Sequence, residues 1–100
     1  MHTSPPLAAA PARHTLVPLQ QWVTARLAVY LDRLPETIDP HVPLAEYGMD
    51  SVCALSLCGD IEDVFGLPLD PQLAWDHPTV AALAGQLAAH GVVLAPEHRR

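Results

Sequence analysis

Apolar residues return at every third or fourth position from Leu16 onward: Leu19, Val23, Leu27, Tyr30, Leu31 and Leu34, with Gln20, Thr24, Arg26 and Arg33 between them. That spacing follows the helical repeat and predicts an amphipathic helix over 18–34 with this stripe turned to a core. Pro18 fits its first turn, where a missing N–H is harmless, and Pro35 blocks continuation past Leu34. The next stretch, 35–50, contains Pro35, Pro40 and Pro43, so it reads as a long loop. Ile38, Val42, Leu44 and Tyr47 are spread through it, which predicts a loop lying on the core and containing a short helical turn.

A second helix is predicted over 51–65, with Gly66 as its C-terminal cap and Pro68 just beyond. Its core stripe is Ala54, Leu57, Cys58, Ile61, Val64 and Phe65, and Ser56, Asp60 and Asp63 lie opposite. Val52, Leu55 and Gly59, three and four residues apart, form a side stripe left underburied and suited to docking. A short helical turn at Pro71–Trp75 is interrupted by Asp76, His77 and Pro78. Thr79 then caps a last amphipathic run whose inward residues are Val80, Leu83, Ala84 and Leu87, stopped by Gly91. No sustained alternation and no internal repeat appear, so the expected class is all-α, a bundle of three main helices and one short one.

Residues 1–15, MHTSPPLAAAPARHT, have no periodic face and read as a flexible tail or linker. The packed domain is expected over 16–91 and a C-terminal tail over 92–100. A chain of 100 residues holds one core and no second domain. Ala and Leu dominate a composition that is 50% hydrophobic and 5% aromatic, which favours close-packed helices over sheets.

The formal net charge of −6 makes nucleic acids and anionic membranes poor partners and basic patches on other proteins good ones. No apolar run approaches the roughly 18 residues that span a bilayer, and no signal-peptide pattern opens the chain, so a cytoplasmic protein is expected. Cys53 and Cys58 point about 140° apart on a helix, so no disulfide joins them. Neither belongs to a C-x-x-C pair and no His completes a zinc set, so no metal is expected.

Ordinary catalytic patterns are missing: there is no phosphate-cradling glycine loop and no G-x-S-x-G elbow. A hydrolase built on Ser51 needs a neighbouring base, and nothing in the sequence places His41 or His77 beside it. The segment Gly48-Met49-Asp50-Ser51-Val52 stands out, because it sets a serine where an apolar-bearing loop meets a helix N-terminus. A phosphate ester there would meet free N–H groups and the positive end of the helix dipole. Asp50 or Ser51 acting simply as a helix cap is the plainer alternative.

Pro43-Leu44-Ala45-Glu46-Tyr47-Gly48-Met49-Asp50-Ser51-Val52 resembles the attachment motif of acyl carrier proteins. Phe65-Gly66-Leu67-Pro68-Leu69 and the run from Trp75 to Ala84 are similar to the corresponding segments of carrier domains in polyketide synthases. The likeness covers about 16–87. It implies a four-helix carrier fold, with 4'-phosphopantetheine attached covalently at Ser51 by a phosphopantetheinyl transferase using coenzyme A and Mg2+. Asp50 would flank the serine at the transferase interface, and the carrier itself would not be an enzyme. Acyl groups would ride as thioesters to ketosynthases and other polyketide or fatty-acyl enzymes.

Val52, Leu55, Gly59, Glu62 and Asp63 match positions where such carriers meet partners. Ser56 and Cys58 depart from the charged residues often found at their places. A peptidyl carrier usually has a second glycine where Met49 stands, so the acyl type is preferred. Leu57 to Glu62 resembles carriers that sit beside fatty-acyl adenylating enzymes, which makes an adenylate-forming ligase a candidate loader. An unmodified helical adaptor is the alternative from another class, and a monomer is expected.

Overall fold

The computed structural model describes residues 13–92 and Leu94, with side chains from Leu16 onward. The described residues form α1 (Arg13–Leu31), α2 (Ser51–Phe65), α3 (Gln72–Asp76) and α4 (Val80–Ala89), with short 3-10 turns at Pro35–Thr37 and Leu44–Tyr47 and no strand. The all-α expectation of three main helices and a short one is met. The tail readings for 1–12 and 95–100 lie outside the described residues.

Helix α1 opens at Arg13, inside the segment read as a tail and ahead of the expected start at Pro18. The proline ring withholds one backbone hydrogen bond, but its fixed φ is helical, so the preceding turn continues the same spiral. At the other end, α1 stops at Leu31 rather than Leu34. Asp32 takes a left-handed φ of 56°, and the Arg33 N–H turns back to the Ala28 carbonyl at 3.0 Å. Leu34 therefore leaves the helix and is exposed, as is Tyr30 at the flank of the stripe, against the expectation that both face inward. Ala28 fills the inner position instead.

Helix α2 agrees with its expected limits, including Gly66 in a left-handed cap at φ 68° whose N–H reaches the Glu62 carbonyl. Its inward set needs correction: Val64 is exposed, Phe65 is half-buried and Cys53 is buried. Trp22 of α1 draws the Phe65 ring to the edge of the core, in a T-shaped contact with centroids 4.9 Å apart. Both cysteines are free and buried. Burial pushes both thiols above their usual range, with smaller contributions from the Asp50 charge at Cys53 and the Asp70 charge at Cys58.

Helix α4 is capped as expected, the Thr79 Oγ1 accepting from the Ala82 N–H at 3.1 Å, and Val80, Leu83, Ala84 and Leu87 all face the core. Val92 is buried and Leu94 packs against the core, so the packed unit runs past the expected limit of residue 91 into the segment read as a C-terminal tail.

The long loop is built into the core. Leu44 is fully buried, like Leu57 and Leu87 in the helices, and each such side chain contributes about 1.5–3 kcal/mol. Ile38 and Met49 are buried beside it. Two backbone bonds tie the loop to the α3–α4 junction, from the Leu44 N–H to the Pro78 carbonyl at 2.7 Å and from the Ala81 N–H to the Pro40 carbonyl at 2.9 Å. The three prolines prevent a helix here without preventing order.

Candidate functional site

The loop delivers the chain to Ser51 through a sequence of fixed residues. The 3-10 turn ends at Tyr47, and Gly48 follows at φ 94°, a left-handed conformation that glycine adopts without steric penalty. Met49 then drops into the core, its N–H donating to the Leu44 carbonyl at 3.2 Å. Asp50 is extended and caps α2, its carboxylate accepting from the Cys53 N–H at 2.9 Å. The Asp50 carbonyl takes the Ala54 N–H at 3.0 Å.

Ser51 is the first residue of α2 and is exposed. The N–H groups of Ser51 and Val52 belong to the helix terminus that intrahelical bonding leaves free. Asp50 thus takes the plainer role foreseen for this pair, that of helix cap, and leaves the serine hydroxyl outward. A group esterified to Ser51 would leave from an exposed residue with two backbone donors beside it.

No general base is hydrogen-bonded to Ser51 among the described residues. Its hydroxyl has no hydrogen-bond partner among the described residues, and neither His41 nor His77 reaches it. Clefts of about 470 Å3 at Val17, Gln20, Thr24 and Pro35 and of about 390 Å3 at Phe65, Leu67, His90 and Val92 do not include it. No set of three or more His, Cys, Asp or Glu among the described residues is placed to hold a metal ion.

The side stripe runs from Ser51 along α2. Val52 is 70% exposed and Leu55 58% exposed, values far above those of the buried residues one position away, so this edge has no partner within the fold. Gly59, Glu62 and Asp63 continue it, all exposed. A Cβ at Gly59 would meet nothing within 4 Å.

Asp60, read from the sequence as solvent-facing, does something else. Tyr30 of α1 donates its hydroxyl proton to the Asp60 carboxylate, and Arg26 pairs with the same group at 3.8 Å. Arg26 also lies over the Trp22 ring, 5.2 Å from its centroid. Sequence periodicity carries no sign of this clasp, because it depends on how α1 and α2 are rotated against each other.

Residues 21–87 match the family model described as phosphopantetheine attachment site. The chain is 35% identical over 71 residues to a phenolphthiocerol/phthiocerol polyketide synthase of Mycobacterium tuberculosis, covering 71% of this chain and 4% of that protein. It is 46% identical over 59 residues to the spectinabilin polyketide synthase system protein NorC of Streptomyces orinoci, covering 57% of this chain and 3% of that protein. Among solved structures, a free-standing peptidyl carrier protein of Acinetobacter baumannii superposes with a TM-score of 0.75 at 38% identity, covering 78% of this chain and 98% of that one. The acyl carrier protein LipD of Actinoplanes friuliensis superposes with a TM-score of 0.62 at 43% identity, covering 76% of this chain and 84% of that one.

Proposed function

This chain belongs to the phosphopantetheine attachment-site family, and on that premise we propose that Ser51 is the attachment residue of an acyl carrier acting in polyketide or fatty-acyl synthesis. Members of the family carry covalently attached 4'-phosphopantetheine and are carriers rather than catalysts. The observation that supports Ser51 is its exposed hydroxyl at the open N-terminus of α2, directly after the capping Asp50. Once attached, the arm supplies a terminal thiol that holds an acyl group as a thioester.

The chain's own residues do the rest. The Ser51 oxygen would hold the phosphodiester, formed as the transferase takes the hydroxyl proton and the coenzyme A pyrophosphate is cleaved with release of adenosine 3',5'-bisphosphate. The free N–H groups of Ser51 and Val52, with the helix dipole, would favour the negative charge of the phosphodiester by about 0.3–1 kcal/mol. Asp50 holds the first turn of α2 closed while the hydroxyl stays outward, and presents its charged edge to the transferase. Val52 and Leu55 supply an apolar contact next to the arm, and Gly59, Glu62 and Asp63 extend it toward a basic partner surface. Complementary charge of this kind speeds encounter without demanding a large interface.

Carrier domains of polyketide synthases work with ketosynthases and modifying enzymes. For this chain, the partners are a phosphopantetheinyl transferase, an adenylate-forming ligase as loader and a ketosynthase as acceptor, met by a monomeric carrier in the cytoplasm. Among the described residues, no helix is long and apolar enough to cross a membrane. The synthase relatives and Met49 at the position before Asp50 favour an acyl over a peptidyl cargo.

Intact mass before and after incubation with coenzyme A, Mg2+ and a broad-specificity transferase tests the reading. The parent is expected to gain one phosphopantetheine and Ser51→Ala none. A folded parent that gains nothing, or a Ser51→Ala variant that gains the same mass, overturns it.

A further inference from the structure

Four residues before Ser51, one side chain holds the delivering loop from three sides. The Tyr47 ring is half-buried and packs against the core, its hydroxyl accepts the Asp39 N–H at 2.9 Å, and the Arg33 guanidinium covers its face at 4.7 Å from the ring centroid. Arg33 lies just beyond the end of α1, Asp39 in mid-loop, and Tyr47 at the close of the 3-10 turn that opens onto Gly48. Arg33 is itself held, its Nε donating to the Thr37 Oγ1 at 3.3 Å. The contacts therefore join the end of α1, the middle of the loop and the attachment segment.

We infer that Tyr47 is a positioning residue for modification at Ser51: it fixes where the loop ends and so where the serine hydroxyl meets the transferase. The inference rests on Ser51 being the attachment residue. Between Tyr47 and Ser51 each step is constrained, by the left-handed Gly48, by Met49 in the core and by Asp50 in the cap. A displacement at Tyr47 is consequently passed along the chain rather than absorbed. Misplacing a nucleophile slows the chemical step without weakening the docking of a surface that has not changed. Helix α2 keeps its own core contacts when Tyr47 is truncated, so the Val52, Leu55 and Gly59 edge stays in place.

The test measures kcat and KM for the carrier with coenzyme A, Mg2+ and a phosphopantetheinyl transferase, for the parent and for Tyr47→Phe, Tyr47→Leu and Tyr47→Ala. Rates are referred to the folded fraction, from circular dichroism and urea titration. Tyr47→Ala is expected to lower kcat roughly five- to tenfold with KM within about twofold of the parent. Tyr47→Phe, which keeps the ring beneath Arg33, should retain kcat within about twofold, because water satisfies the exposed Asp39 N–H. Backbone amide spectra of Tyr47→Ala should show shifts concentrated at Gly48 to Val52.

If Tyr47→Ala does not fold, Tyr47→Leu decides, since it keeps the apolar volume and loses both the hydroxyl and the ring face. A folded Tyr47→Ala or Tyr47→Leu variant with parental kcat, or a loss confined to KM, overturns the inference. Amide shifts spread evenly over α4 and α2 with Gly48 to Val52 unmoved overturn it as well. A parent that takes up no phosphopantetheine refutes the attachment reading instead, and the amide spectra then still decide whether Tyr47 fixes the loop.

Discussion

Asp50 caps α2 and, in the proposed function, also faces the transferase, and substituting it tests both roles. Its carboxylate accepts the Cys53 N–H at 2.9 Å, one of the first-turn donors of α2 that have no intrahelical acceptor. Replacing an N-cap aspartate by alanine costs about 1 kcal/mol, within a span of roughly 0.5–2. The negative charge at the helix N-terminus contributes a further 0.3–1 kcal/mol or so. Asp50→Ala should therefore lose about 1–2 kcal/mol. Asp50→Asn, which keeps an oxygen in the capping position, should lose only the charge part. In a domain of this size each kcal/mol lowers the Tm by about 4–8 °C.

Thermal and urea unfolding followed by circular dichroism should thus rank parent, Asp50→Asn and Asp50→Ala in that order. Raising the salt to about 1 M should narrow the gap between parent and Asn while leaving most of the gap between Asn and Ala, because screening removes charge and not capping. A Tm for Asp50→Ala within a degree or so of the parent refutes the capping argument, and an Asn variant as unstable as Ala shows that the oxygen does not cap. Both variants stay folded against a total stability of about 5–15 kcal/mol, so their loading by the transferase can be compared directly. An Asn variant that is stable and slow to load separates the carboxylate's part in recognition from its part in the fold.

Two further outcomes follow from the same geometry. The Tyr30 hydroxyl is held above its usual pKa of 10.0, first by donating to Asp60, then by burial and by the Asp60 charge. The folded protein keeps this proton where the unfolded chain loses it, so the contribution is whole below pH 10 and is lost as pH rises through the elevated value. The difference in urea midpoint between the parent and Tyr30→Phe should be constant from about pH 8 to pH 9 and shrink as pH rises above about 10, and a difference that stays constant up to about pH 11 refutes the clasp as its source. At Gly59 an added methyl meets nothing within 4 Å, so Gly59→Ala should raise stability by about 0.8–1 kcal/mol in the same titration. An unchanged or lower midpoint shows that the glycine has a structural role that its open surroundings conceal.

The parts of the fold legible in the sequence are those decided by neighbours along the chain. Gly66 at the end of α2, Thr79 before α4 and the inward set Val80, Leu83, Ala84 and Leu87 each follow from local caps and periodicity, and each stands in the structure. The limits of α1 are not legible in this way, because its prolines are not its boundaries. Pro18 sits inside the helix, and the stop comes from Asp32 turning left-handed, a conformation that an aspartate tolerates but does not require. Pro35 begins a 3-10 turn just after the point where α1 has already ended. Placing Leu34 in the core extends a period beyond the helix that carries it, and Tyr30 lies at the flank of the stripe, where period alone does not separate buried from exposed.

The candidate attachment site is legible only in part from local chemistry. Residue types within 48–51 announce a loop end at Gly48 and a helix cap at Asp50 or Ser51; the left-handed Gly48 and the choice of Asp50 as cap come from the structure, and the attachment reading of Ser51 comes from the resemblance of 43–52 to the carrier motif. The proposed partner edge is harder, because exposure and acidity do not mean the same thing at every position of α2. Asp60 sits between Gly59 and Glu62 in sequence, yet it is engaged by Tyr30 and Arg26 of α1. Glu62 and Asp63 are exposed and make no ion pair among the described residues. A count of acidic residues along α2 therefore overstates the charge offered to a basic partner by one carboxylate. That carboxylate bridges α1 and α2, so its removal takes away a contact between the helices as well as a charge. An effect of Asp60 on partner binding would have to be compared with Tyr30→Phe before being read as an interface contact, whereas effects of Glu62 and Asp63 can be read directly.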